Sequence, residues 1–393
     1  MKKKSLIFKY SVIQSFYWAG FCALYSFAAT FLLSKGFTTA GVGRILFLSN
    51  ALSFVLQPFM GSFADRAKKN MLIPMMILLA AATLCCLILV RCLRLPELLF
   101  AVLYIIAITC YDMQMPLINS VCVWYSDRGW NIPYSLARGF GAAAYCAVSF
   151  IIGRVIGKTG TDALVIFSIV LVSGFLAGVI LLPKDNSPSL RSNEGANRQS
   201  LSLVQFFKRY KWYSISLLGI LLFGLFHVMI ENYLIEILTV LGGDSSNVGT
   251  ALGLATLVEI PVMMLFDKIY GRTSSKKLFY FLSVSFVVKA LVMLSAKSIM
   301  VVYIGEMMQP LTYTLLAPLE VYYAKECTSE TDMVKGQSVI TAAYAAGSAA
   351  GNLLGGELIS AFGVHMLLLC GLVATVAGMI IILATIPKSL REL

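Results

Sequence analysis

Charge is what this sequence has least of. Of its 393 residues only 13% are Asp, Glu, Lys or Arg, while 59% are hydrophobic and the mean hydropathy is +0.84. A soluble domain carries about 25% charge and about 45–50% apolar residues. The shortage excludes a soluble cytoplasmic enzyme, a disordered chain and a disulfide scaffold. Histidine is nearly absent, with two copies, and the nine cysteines form no C-x-x-C pair, so no metal centre of familiar spacing is expected. Eight of the cysteines lie in or beside apolar runs, where they serve as small hydrophobes, and Cys327 falls in a loop. No P-loop and no nucleophile–base constellation is present. Enzymatic activity and a cofactor are therefore not expected. Acidic residues are scarcer than basic ones, 19 against 31, giving a net charge of +12. Such an excess marks nucleic-acid binding in a soluble protein and basic cytoplasmic loops in a membrane protein.

What fills the chain is long apolar runs. A membrane helix needs about 20 of them in a row. Twelve such stretches are expected, at 8–34, 39–64, 71–92, 97–125, 133–157, 162–182, 211–240, 246–267, 277–296, 298–325, 335–362 and 365–386. The run after Met1-Lys-Lys-Lys4 is too long for a signal peptide and reads as the first span. With the N-terminus inside, most Lys and Arg fall on the cytoplasmic side, including Arg66, Lys68, Lys69, Lys268, Arg272, Lys276 and Lys388. Few fall outside, such as Lys35, Arg44, Arg91, Arg154 and Lys297. This bias places both termini in the cytoplasm and excludes the nucleic-acid reading. A multi-pass protein of the plasma (inner) membrane is expected, its partners being the lipid bilayer and a small-molecule substrate, and a monomer suffices.

The polar stretch 184–210, rich in Ser, Asn and basic residues, reads as a linker between a six-helix bundle at 1–183 and another at 211–393. The two match at an offset near 203. Pro58 pairs with Pro261, Asp65 with Asp267, Pro116-Leu117 with Pro318-Leu319, Ser135 with Ser338 and Gly160 with Gly363. A parallel six-plus-six repeat is the layout of the major facilitator transporters. Glycines four apart, at Gly153/Gly157, Gly249/Gly253 and Gly347/Gly351/Gly355, allow close helix approach.

The chain resembles the major facilitator superfamily over its whole length. That family's signature after span 2 is similar to Gly61-Ser-Phe-Ala-Asp65-Arg66-Ala-Lys68-Lys69, with a looser copy at Asp267-Lys268. The resemblance implies an all-α fold of two pseudo-symmetric six-helix halves. It also implies a conformational gate at Gly61, Asp65, Arg66 and Asp267. A narrower resemblance is to the branch of lactose permease and the phenylpropionate permease-like proteins. Tyr134-Ser-Leu-Ala-Arg138 and Tyr145 are similar to its span 5, Glu259 to its span 8 acid, and Lys289 stands where it carries an arginine. That branch has Lys-x-x-His-x-x-Glu in span 10, where this chain reads Glu306-Met-Met-Gln309-Pro-Leu-Thr312. Lactose itself and that proton relay are therefore not implied.

The few charges inside the spans carry the rest. A charge at mid-membrane costs about 2.5–3.5 kcal/mol on insertion scales. Asp112, Glu231, Glu259, Glu306 and Glu320 must therefore face protein or water, with Arg138 and Lys289 as the deep cations. Lys289 suits Glu259 or Glu306 as a partner. His227 and Glu231, at i and i+4, share a helix face. The expected solute-binding residues are Arg138, Tyr145, Asn119, Glu259 and Gln309. The expected proton-coupling residues are Asp112, Glu259, Glu306, His227, Glu231 and Lys289. Together these describe a secondary transporter working by alternating access, in symport with H+, on a sugar, glycoside, nucleoside or aromatic acid. A drug/proton antiporter and a receptor-like, transport-inactive member of the fold are the alternatives.

Overall fold

A computed structural model describes residues 3–66, 71–126, 128–130, 132–183, 202–329 and 332–390. Every regular element among them is helical. α1 (Lys3–Phe21) passes through a π turn at Cys22–Ser26 into α2 (Ala28–Ser34). Then come α3 (Thr39–Arg66), α4 (Leu72–Cys92), α5 (Glu97–Asp112), α6 (Gln114–Ser126), α7 (Tyr134–Thr159) and α8 (Asp162–Ile180). The short α9 (Leu203–Arg209) precedes α10 (Lys211–Asn232), α11 (Leu234–Val240), α12 (Ser245–Tyr270) and α13 (Ser275–Leu294). The chain ends with α14 (Ile299–Met307), α15 (Tyr313–Cys327), α16 (Met333–Phe362) and α17 (Val364–Ser389).

The repeat is visible in where helices break. The first long helix of each series is interrupted, at Cys22–Phe27 and at Tyr233. The fourth is interrupted too, at Met113 and at Met308–Thr312. The turns agree as well. Gly36 (φ 92°) answers Gly242 (φ 79°), and Gly160 (φ 87°) answers Gly363 (φ 81°). Only glycine enters this left-handed region without strain, so the paired glycines end equivalent helices.

Among the described residues nine helices are long and apolar enough to cross a bilayer, or ten if the bent pair Ser5–Ser26 and Ala28–Ser34 is one span. α16 falls short because Gly, Ser, Thr and Asn interrupt its apolar residues, and the α14–α15 stretch because it is broken at Pro310. Leu78, Leu98, Met264, Met300 and Val373 lie exposed on helix surfaces. So much apolar surface suits lipid rather than water.

The chain divides into two compact units. The first holds 1–193 together with Asp244–Leu257, and the second holds Glu194–Gly243 with Val258–Leu393. Within the first, a Cβ on Gly153 would lie 2.8 Å from Gly249 Cα, so α7 meets the start of α12 backbone to backbone. Within the second, a Cβ on Gly347 would lie 1.9 Å from Leu221 O, and one on Gly351 2.5 Å from Leu225 O. Glycine is therefore what lets α16 lie against α10.

A candidate intramembrane polar site

The second unit gathers five of its deep polar side chains into one network. The break between α14 and α15 makes it possible. Pro310 has no N–H to donate, so the helix tightens into a 3₁₀ turn over Gln309–Leu311. The Thr312 backbone N–H and its hydroxyl both donate to Gln309 O at 3.1 Å, which closes the turn. Glu306, ending α14, lies 3.3 Å from Lys289 Nζ of α13, and both are shut off from solvent, at 0% and 1% side-chain exposure. Lys289 also donates to Gln309 Oε1 at 2.5 Å.

A lysine ammonium only donates, so the Gln309 amide must turn its oxygen to Lys289 and its nitrogen away. That nitrogen donates to Glu231 Oε1 at 2.9 Å and faces His227 Nδ1 at 3.3 Å. Nδ1 is then an acceptor, which leaves the proton of the neutral ring on Nε2, 3.6 Å from Glu231 Oε2. The His227 ring stacks on Tyr313 of α15, with centroids 4.5 Å apart and planes at 11°. Tyr344 of α16 lies 5.5 Å beyond Tyr313. Glu231 keeps 28% of its side chain exposed, whereas Lys289, Glu306, Gln309 and His227 are buried. The network runs from a dry ion pair to an accessible carboxylate.

The His227–Glu231 pair is as expected, and Lys289 pairs with Glu306 rather than Glu259. Glu259 is half-buried on α12, two residues before Pro261, and within Coulombic range of Glu231. Gln309, expected to hold solute, is buried and engaged with three side chains of its own unit. The residue type alone did not reveal this central role. The proline after it, inside an apolar run, was the available signal.

In the first unit, Arg138 of α7 lays its guanidinium 3.7 Å over the Trp18 ring of α1. Trp18 donates to Gln14, and Gln14 to Tyr10. Tyr145 bonds Ser26 at 2.8 Å, at the π turn. Asp112, at the end of α5, sits beside Ser53, and Asp112 and Arg138 both act electrostatically on Tyr17. Asn119 of α6 is half-buried, its Oδ1 buried without a hydrogen-bond partner among the described residues. Of the gate, Asp267 is exposed and accepts from Tyr322 at 3.0 Å. Gly61, Asp65 and Arg66 lie on α3, but their side chains, with Lys68 and Lys69, fall outside the described residues.

Long apolar helices with paired breaks and buried charges describe a multi-pass membrane protein. The profile of the MFS_1 like family matches residues 7–370, and the chain belongs to that family. No curated protein matches it. Among solved structures, the nucleoside transporter NupG superposes with a TM-score of 0.76 at 13% identity, over 98% of this chain and 99% of that one. A bacterial homologue of the human lysosomal transporter Spinster gives 0.71 at 13% identity, over 100% and 98%. A structure from work on proton dependent oligopeptide transporters gives 0.71 at 14% identity, over 100% of both chains. At these identities the likeness shows the fold, that of the major facilitator transporters.

Proposed function

We propose that this chain moves a small polar organic solute by alternating access in symport with protons. Its twelve spans would leave both termini in the cytoplasm, and a monomer in the plasma membrane would suffice. Sugars, glycosides, nucleosides and aromatic acids are the candidate solute classes. The observation that carries the reading is the network of the second unit, in which only Glu231 is accessible.

A proton reaching Glu231 removes the charge that Gln309 and His227 face. It loosens the amide's hold on that side while Lys289 still fixes the other. This is a local change with two discrete hydrogen-bond states, the kind of element that biases a conformational equilibrium. One charge moving down 100 mV is worth about 2.3 kcal/mol. That supports about 40-fold accumulation of a neutral solute, since about 1.4 kcal/mol is tenfold. Arg138, Tyr145 and Asn119 are the solute-holding candidates of the first unit, with Glu259 in the second. Asp112 is the acid that would exchange a proton in the first.

The test is uptake into proteoliposomes under an imposed inward proton gradient, with a panel of those solutes. Gradient-driven uptake of at least one solute is expected, collapsing in Glu231→Gln. If uptake occurs but ignores the gradient, symport is wrong. Flux of no solute at all leaves the receptor-like alternative. α7 has no proline after Pro133, which speaks against the drug-exporter alternative. Efflux of lipophilic cations from loaded vesicles would restore it.

A further inference from the structure

The second unit contains a carboxylate that the network above does not use. Glu320 on α15 is 8% exposed, with no hydrogen-bond or ion-pair partner among the described residues. It stands seven residues after Tyr313, two turns along the same face of α15, at a rise of about 10 Å. Tyr344, on the neighbouring helix, lies within Coulombic range of both Glu320 and Glu231. Tyr313 and Tyr344 are only half-buried. Their rings therefore sit on an accessible face with a carboxylate towards either end. Lys289, the one deep lysine described in this unit, is already taken by Glu306 and Gln309.

An unpaired carboxylate in a low-dielectric bundle is costly, and a cation removes the cost. Tyrosine faces attract the same sign of charge, because the ring quadrupole is negative above and below the plane. We infer that the Glu231–Tyr313–Tyr344–Glu320 face binds the solute through a protonated amine, with the planar part of the solute against the tyrosine rings. The inference rests on the transporter reading but replaces the neutral and acidic solute classes named there with a cationic one, Glu320 being the anion that holds the amine while Glu231 exchanges the proton.

The test uses purified full-length protein and three probes of nearly one shape: 2-phenylethylamine, 2-phenylethanol and 3-phenylpropionate. Titration calorimetry should show the amine binding at least about tenfold tighter than the alcohol or the acid. Glu320→Gln keeps the shape of the side chain and should weaken the amine by about tenfold or more. Tyr344→Leu should weaken it, while Tyr344→Phe, which keeps the ring, should not. The tyrosine pair carries the test should Glu320→Gln not fold. Binding of the alcohol or acid as tight as that of the amine, no binding of the amine, or an unchanged amine affinity in folded Glu320→Gln overturns the inference. Counterflow of the same probes in proteoliposomes separates the two readings. An amine that binds with no probe crossing defeats transport and keeps the site. An acid or alcohol that crosses while the amine does not defeats the site and keeps transport.

Discussion

In the first unit, apart from the short Trp18–Gln14–Tyr10 chain, several deep polar side chains end singly on backbone carbonyls. Gln114 donates to Met76 O, Tyr10 to Ile118 O, Tyr104 to Leu24 O and Tyr111 to Tyr17 O. In the second, Lys289, Glu306, Gln309, His227 and Glu231 bond to one another. The two units share a helix plan, so the plan does not dictate the chemistry. A tyrosine on a carbonyl seals a helix contact and stays put. A chain of charged and amide groups has more than one arrangement of hydrogen bonds, and that is what a coupling device requires.

The largest test of this contrast is the buried ion pair. Lys289→Met leaves Glu306 charged and unpaired in a dry interior, which costs about 3–5 kcal/mol. Thermal unfolding in detergent should show a large loss, and Lys289→Met/Glu306→Gln should regain most of it. If the double variant is no better than the single one, the pair is not what holds this region.

Next in size is the contrast between two glutamines. Gln309→Met strips a partner from Lys289 and another from Glu231, and hydrogen bonds to charged groups are worth about 1.5–3 kcal/mol each. Gln114→Met removes one neutral bond, worth about 0.5–1.5 kcal/mol. Measured side by side, the Gln309 variant should lose more stability. Equal losses would mean that the second unit is as static as the first.

Much of this architecture was legible in the sequence, and the reasons are physical. Apolar run length reports the membrane, and paired prolines and glycines report the repeat, because both are local properties of the chain. The His227–Glu231 pair was legible for the same reason, since an i, i+4 spacing is fixed within one helix. The choice of Glu306 over Glu259 by Lys289 was not, because it depends on which helices pack together. Nor was the place of Gln309, which follows from a helix break whose effect on side-chain direction exceeds what spacing can give. The stacking of Arg138 on Trp18 joins residues 120 apart, and neither residue signals the other.

Glycines offer a smaller test within the same comparison. Gly347→Ala pushes a methyl into the Leu221 carbonyl, and overpacking of this kind costs about 1–3 kcal/mol. Gly139→Ala in the first unit meets nothing within 4 Å and should gain about 0.5–1 kcal/mol from the better helix former. Unfolding midpoints should move in opposite directions. A loss at both positions would show that α7 is packed more tightly than the open space at Gly139 indicates.

The smallest expected effect concerns Tyr145, where a solute platform and a structural strut make different demands. Its hydroxyl meets Ser26 at the π turn between α1 and α2, and π turns occur often at functional positions. Tyr145→Phe keeps the ring and loses that bond, at about 0.5–1.5 kcal/mol. A double-mutant cycle with Ser26→Ala should recover a coupling of the same size, about 0.5–1.5 kcal/mol. If Tyr145 serves as a platform, Tyr145→Phe should keep solute affinity, and Tyr145→Ala should lose it by more than the stability change explains. If the hydroxyl sets the bend, Tyr145→Phe alone should alter transport rate with affinity unchanged. The first unit would then carry a moving part of its own, and the contrast with the second would narrow to where the charge lies.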